Sequence, residues 1–326
     1  MKTEFVSNAP VLRDMGASNK PGEIYLANEA RFTAATYSEA LTAYVQGWKD
    51  PDLEALLQFL APRVPIGRRF EFKSGTNKEF FLTETDDSDI RPIGSAFKRV
   101  EYTGSTVLGK TFNKGLMIRV DEDEAFGDGW RERFAGMLKR RLLRMEVYRA
   151  NALLIAGATG TTPAWTYDAS TNPNPNPDND FRSALGLAAD ASGIRPNRIA
   201  IGEGQWDLRA ASYEALNTPH AGRAANMTAD ELARKLMVDR IQVVSARYQS
   251  SASAKSKLVP GCILFFAEDN LMKDDPSNIK RFVTPTDAGD FKVYVEEHPK
   301  YTDITVEHYS NIVVTSSTGL RKIVAT

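Results

Sequence analysis

Apolar positions along this chain fall into distinct rhythms. Leu41, Tyr44, Val45 and Trp48 recur at helical spacing, as do Leu53, Leu56, Leu57 and Leu60. The spacing predicts two short helices separated by "KDPD" (Lys49–Asp52), with Ser38 as the N-cap of the first. From Pro65 to Val120 the period shortens. Phe70/Phe72 and Val100/Tyr102 alternate with charged residues, and "SGTN" and "TGST" supply turns. This reads as a long two-stranded excursion around the acidic, Pro/Gly-punctuated "TETDDSDIRPIGS" (Thr83–Ser95). An isolated two-stranded ribbon is marginally stable in water, so the ribbon is expected to lie on something else, and another chain is one candidate.

The next segment, "GWRERFAGMLKRRLLRMEVYRANALLIAGAT" (Gly129–Thr159), predicts one unbroken helix. Trp130, Phe134, Leu138, Leu142 and Met145 form an apolar stripe that Ala152 and Ile155 continue. Arg133, Lys139, Arg140, Arg144 and Glu146 are assigned to the opposite face, a solvated or subunit-facing side. At 1.5 Å per residue the rod would span roughly 45 Å, far beyond a usual globular helix. The acidic "DEDEAFGD" run before it suits a helix N-terminus electrostatically.

A Pro/Asn-rich loop, Thr159–Asp180, then leads into a third pattern, in which helices and short apolar strands alternate. "FRSALGLAADASGI" predicts a helix with Asp180 as N-cap and Gly193 as its stop. "NRIAIG", "RIQVVSARYQ" and "CILFFAE" predict strands. "GEGQWDLRAASYEAL" and "TADELARKLM" predict helices, the latter opened by Thr228 with Glu231 at capping-box spacing. This alternation over about residues 181–268 argues for a compact α/β unit. The remainder to Thr326 is β-rich, and residues 1–35 read as a polar arm with scattered apolar anchors.

Composition narrows the function by exclusion. The 326 residues carry a net charge of -1, which gives no general pull toward nucleic acid or membrane. No segment approaches the about 18 apolar residues of a membrane span. The N-terminal residues lack the apolar region of a secretory leader. Cys262 is the single cysteine and sits in an apolar run, as a buried thiol would. His220, His298 and His308 have no ligand-spaced partners, so no metal site is expected. Asp121–Glu124 lacks the glycine and spacing of a calcium loop. "IGEGQW" places Gly202, Glu203 and Gly204 between a strand and a helix, where a phosphate loop would sit. It lacks the third glycine of a dinucleotide fingerprint and the Lys-Ser/Thr of a P-loop. No catalytic, cofactor-binding or metal-binding residue emerges, and an enzyme is not expected.

The order of elements resembles the major capsid protein of tailed bacteriophages, the Hong Kong 97-type fold. "RPIGSAFKRVEYTGSTVLGKTFNKGLMIRVDEDEAFGDG" is similar to the returning strand of that family's extended E-loop, leading into a long spine helix. "RRLLRMEVYRANALLIAGAT" resembles the end of that spine. "DFRSALGLAADASGIRPNRIAIGEGQWDLRAAS" resembles the opening of the axial domain, and "DITVEHYSNIVVTSSTGLRKIV" the terminal strands that return to the peripheral domain. The resemblance implies an α+β fold divided into four parts. These are an N-terminal arm (1–35), a peripheral domain with the spine helix (36–67, 113–159 and 292–326), an E-loop (68–112) and an α/β axial domain (160–291). It implies self-assembly into pentamers and hexamers of an icosahedral shell around double-stranded DNA, without sequence-specific binding and without a membrane. The virion would be its location and the host cytoplasm its place of assembly. Any scaffold, protease, portal or decoration protein would be a separate chain. Phe70, Phe72, Arg91, Pro92, Arg140 and Arg144 are the expected contacts between subunits. Two other readings stay open: a nanocompartment shell of the encapsulin type, and an α/β enzyme with a phosphate site near Gly202–Gly204.

Overall fold

In the computed structural model, residues 36–47, 50–74, 93–96, 105–124, 127–216, 218–251, 253–270, 272–286 and 289–326 are described. The expected arm, 1–35, and most of the loop between the ribbon strands lie outside them.

Two short helices open this part, α1 (Glu39–Gly47) and α2 (Pro51–Leu60). The Leu41 amide donates to Ser38 Oγ (3.3 Å) and the Leu53 amide to Asp50 Oδ1 (3.3 Å), and Pro51 occupies the first turn of α2, where its missing N–H is harmless. The strand β1 (Arg63–Pro65) follows, then β2 (Arg69–Ser74), β3 (Ser105–Lys110) and β4 (Phe112–Asp121). On β4 the even-numbered residues face inward and the odd ones outward, the period of a sheet with one wet face. The long helix α3 (Trp130–Gly157) has 28 residues, a rod of about 42 Å. No proline interrupts it.

A five-stranded sheet carries this rod. Its centre is β13 (Tyr301–Val314), paired antiparallel with β4 along one edge and with β12 (Phe291–Glu297) and β11 (Ile279–Val283) along the other. β1 adds to β11 in parallel. A second five-stranded sheet runs in the order β5 (Thr159–Thr161), β14 (Arg321–Ile323), β10 (Cys262–Phe265), β6 (Arg198–Gly202), β7 (Arg240–Val244). Four helices, α4 (Pro177–Ser192), α5 (Glu203–Ala215), α6 (Pro219–Ala225) and α7 (Ala229–Leu236), belong to this half. A small hairpin, β8 (Arg247–Gln249) with β9 (Lys255–Lys257), extends β7.

The inner strands β6 and β10 of the second sheet are buried on both faces, and their alternation divides the core. Ile199, Ile201, Cys262 and Leu264 point into a cluster with Trp165, Phe181 and Leu185. The intervening Ala200, Ile263 and Phe265 point the other way, into a larger cluster that α1, α2, α3 and the first sheet share. The two halves therefore meet through continuous apolar packing.

Several expectations are corrected here. Residues 279–283 form β11 in the first sheet, and 321–323 form β14 inside the second. Pairing partners from 27 to 218 residues away decide sheet membership, and hydrophobic rhythm does not report them. The N-cap of α4 is Asn176, whose Oδ1 accepts from the Asn179 amide (3.2 Å), while Asp180 instead accepts from Trp165 Nε1 (2.8 Å). The rod also buries more than the expected stripe: Ala135, Leu143, Val147, Ala150 and Leu154 are buried, and so are Lys139 and Glu146, which were assigned to solvent.

Candidate assembly surfaces and the contacts that hold them

The rod is fixed to the first sheet by a buried charge cluster. Lys114, on the inward face of β4, donates to Glu146 Oε1 (2.8 Å) and to Ser310 Oγ (3.0 Å). Ser310 donates to Glu146 Oε2 (2.9 Å), and Arg149 Nη1 donates to Glu146 Oε1 (2.7 Å). Burial alone would raise the Glu146 carboxyl, but Lys114 and the neighbouring His308 outweigh it and hold the group well below the usual carboxylate range. Burial lowers the Lys114 ammonium and also the His308 imidazole. His308 Nε2 lies 3.8 Å from Glu146 Oε1. A carboxylate with two cations and a hydroxyl on it is saturated; its chemistry is positional. Lys139, two turns earlier, donates to the Val45 carbonyl (2.8 Å) and lies 3.4 Å from Glu54, tying α3 to α1 and α2.

A second cluster ties together the helices over the other sheet. Arg209 on α5 forks onto Asp178 of α4, with Nε–Oδ1 at 2.8 Å and Nη2–Oδ2 at 3.2 Å, and Lys235 of α7 reaches Oδ2 at 2.6 Å. Arg209 and Asp178 are 1% and 2% exposed. Burial would raise the Asp178 carboxyl; the two cations bring it below its usual value. The Tyr213 hydroxyl beside them donates to Asn176 Oδ1 (3.2 Å) and is pushed up to about 12, chiefly by burial.

Between α2, the C-terminal half of α3 and the β7–β9 segment lies a groove of about 1820 Å³. Its floor is apolar, built from Leu53, Leu56, Met145, Val147 and Leu258, and Tyr148 and Tyr248 meet edge to face across it at 4.9 Å. Cations crowd its walls. Arg149 and Arg247 are engaged by Glu146 and Glu203 (2.7 and 2.6 Å). Arg141, Arg144, Arg240 and Lys255 form no ion pair among the described residues. Of the two groove carboxylates, Asp50 lies 3.2 Å from Arg140, which leaves Asp52. Nothing in the sequence marked this groove, because its walls come from three separate segments.

The expected contact residues fare differently. Phe70 and Phe72 are buried in this chain's own core: Phe70 packs on Phe282 (ring centroids 4.4 Å), Phe72 on the same ring (5.7 Å), with Val64 and Val313 beneath. Gly109 sits opposite Phe70 in the register, and a Cβ there would lie 2.6 Å from the Phe70 ring. The apolar face of the ribbon base is thus covered by this chain's own core. Arg140 and Arg144 are exposed on the rod. Arg91 and Pro92 lie outside the described residues.

The candidates for small-ligand chemistry resolve into packing. A Cβ on Gly202 would stand 2.1 Å from the Val259 carbonyl oxygen, and one on Gly204 would stand 2.1 Å from Lys257 Nζ. Gly202 answers to close approach of backbone, whereas the contact at Gly204 is the end of a flexible lysine side chain; Glu203 between them is paired with Arg247. Cys262 is buried and its thiol is pushed up by burial, away from reactivity. Among the described residues one set, Glu296, His298 and Asp303, brings three metal-type donor atoms within 4.8 Å of one another. Arg119 already forks onto Asp303 with two contacts of 2.9 Å, supplying the positive charge that a cation would. Among the described residues no helix is long and apolar enough to cross a membrane.

Neither a family model nor a curated protein matches the sequence. Solved structures do match. A phage-related protein from Bordetella bronchiseptica RB50 superposes with a TM-score of 0.66 at 17% identity, over 88% of this chain and 96% of that one. The capsid structure of the cyanophage P-SCSP1u gives a TM-score of 0.50 at 10% identity, over 82% and 87%. At such identities the likeness is one of fold. The chain has the α+β, Hong Kong 97-like fold of phage capsid proteins that its element order resembles.

Proposed function

We propose that the chain is the major capsid protein of a tailed bacteriophage, a subunit that closes into pentamers and hexamers of an icosahedral shell around double-stranded DNA. The observation that carries this reading is the extent of the likeness to the phage-related protein: it covers 88% of this chain and 96% of that one, and so is not confined to one domain. The geometry agrees. A rod of about 42 Å pinned by buried charge is a rigid spacer, suited to holding symmetry axes at fixed separation. Ring-closing contacts between unlike surfaces then add through multivalency, each one being modest alone. The peripheral part comprises the first sheet, α1–α3 and β11. The axial part comprises the second sheet with α4–α7 and gains β14. Residues 1–35 and the loop beyond β2 and β3 would reach neighbouring subunits, with Arg140 and Arg144 on the receiving rod. The assembled protein would reside in the virion, put together in the host cytoplasm, with scaffold, protease, portal or decoration proteins as separate chains.

The test is purification of the chain made alone in bacteria, followed by size exclusion and negative-stain electron microscopy. Hollow shells, or rings of five or six subunits, are the expected result. A protein that stays monomeric at high concentration and under crowding overturns the reading.

A further inference from the structure

The groove between α2, α3 and the β7–β9 segment is larger than an ordinary small-ligand site; those occupy roughly 300–1,000 Å³, against about 1820 Å³ here. Cations stand on both of its sides. Arg141 and Arg144 come from the rod, Arg240 from β7 and Lys255 from β9. All four are exposed, and none forms an ion pair among the described residues. Of the groove carboxylates only Asp52 is left to oppose them. This local excess stands out on a chain whose net charge is -1.

Two rings stand between the walls. Tyr148 of α3 and Tyr248 of β8 meet edge to face at 4.9 Å, and Tyr148 is 40% exposed. An edge-to-face pair leaves a face of each ring uncovered by the other, where a third flat ring can stack. Leu53, Leu56, Met145 and Leu258 continue the apolar floor. A matching ligand repeats one anion and one flat ring along its length. Single-stranded nucleic acid does so, since each nucleotide brings a phosphate and an unpaired base. Duplex DNA keeps its bases inside a convex cylinder and would leave the rings and the floor unfilled. An acidic peptide supplies the charge without a ring at every step.

We infer that the groove binds single-stranded nucleic acid without sequence preference. Phosphates lie against Arg141, Arg144, Arg240 and Lys255, and bases rest on Tyr148, Tyr248 and the apolar floor. The inference goes beyond the capsid reading, which requires no contact of this kind. Arg144 is shared with the subunit contact proposed above, so a bound strand and a neighbouring subunit would compete for it.

The experiment titrates the full-length chain into a fluorescent oligothymidylate of about twelve nucleotides, read by anisotropy at about 50 and about 200 mM salt. Four phosphate contacts give a single strand a slope of about -2.8 in log affinity against log salt, a loss of about fifty-fold over that range. Arg141→Gln/Arg144→Gln should halve the slope, leaving a loss of about sevenfold. Tyr148→Ala/Tyr248→Ala should weaken binding at least about fivefold and leave the slope unchanged. Tyr148→Phe/Tyr248→Phe keeps the rings and should bind as wild type does. Unchanged tryptophan emission checks that each variant folds. No saturable binding at the lower salt overturns the inference. So does an unchanged slope in the arginine variant, or wild-type affinity in the alanine variant. A duplex of equal length, or a polyglutamate chain of equal charge, that displaces the strand at equal concentration shows recognition by charge alone and also overturns it. Shells are scored separately by microscopy: shells from a chain that binds no strand remove this inference and leave the capsid reading, and strand binding without shells does the reverse.

Discussion

Replacing Arg209 by methionine tests how the helices over the second sheet are held. The side chain is 1% exposed and makes both arms of a fork onto Asp178, itself 2% exposed. Methionine retains most of the aliphatic volume, so the cavity contribution is small and the loss is electrostatic. Removing one partner of a buried ion pair costs about 3–5 kcal/mol, because the other charge stays buried and unpaired. Asp178 keeps Lys235 at 2.6 Å, which places the expected loss at the lower end, about 3 kcal/mol. Urea unfolding followed by tryptophan emission is a suitable assay, since Trp165 and Trp206 both pack in this layer. With a slope of about 3 kcal/mol per molar urea, the midpoint should fall by about 1 M. The double variant Arg209→Met/Asp178→Leu should recover much of that loss, because Lys235 is 33% exposed and can turn to water. A midpoint shift under about 0.3 M, or two losses that simply add, would refute the claim that this pair is buried and coupled.

Acidification should destabilise the protein below about pH 6.5. The unfolded chain protonates its histidine near that value, whereas burial, with Lys114 and Arg281 close by, lowers His308 in the fold despite Glu146, so the unfolded state takes up the proton first. Unfolding midpoints from pH 8 to 5 should fall in wild type and flatten in His308→Asn. Glu146 works in the same direction only further down, its contribution being intact above about pH 4.3 and lost as pH falls through its lowered value. Leu138→Asp puts a charge into the rod's buried face and should cost about 4 kcal/mol or more; a soluble protein with wild-type melting would show that the face is misassigned. Gly202→Ala drives a methyl group to 2.1 Å from the Val259 carbonyl oxygen and should lose about 1–3 kcal/mol by calorimetry, with no loss pointing to a backbone that yields.

What the sequence disclosed was mostly local. Gly193 ends α4 in the left-handed conformation, and the Thr228/Glu231 capping box opens α7 as the spacing predicts. The rod, β6, β10 and the first ribbon strand were legible from period alone; Val100 and Tyr102, read as the return strand, lie outside the described residues, and β3 begins within the expected "TGST" turn. The short α6 was missed: "TPHAGRAA" offers one amphipathic turn and two breakers, though Thr218 and Pro219 were a readable start signal. Lys139 and Glu146 were placed in solvent because charge is usually exposed; their partners, Val45, Glu54, Lys114 and Ser310, lie 32 to 164 residues away. Phe70 and Phe72 were rightly read as needing cover, but Phe282, which supplies it, lies two hundred residues on. The groove walls were likewise invisible as a unit. Element order, by contrast, is a property of the whole sequence, and it carried the fold.

The positions of β13 and β14 have a consequence for timing. β13 is the middle of the first sheet, and β14 is an inner strand of the second. A ribosome delivers residues in order, so β4 and β12 emerge before the strand they pair with exists, and β10 before its partner β14. Neither half can close until the stretch from Tyr301 to Ile323 has left the exit tunnel. A nascent subunit therefore has no finished face to offer, and many copies translated along one message would be kept from associating prematurely while they are still being made.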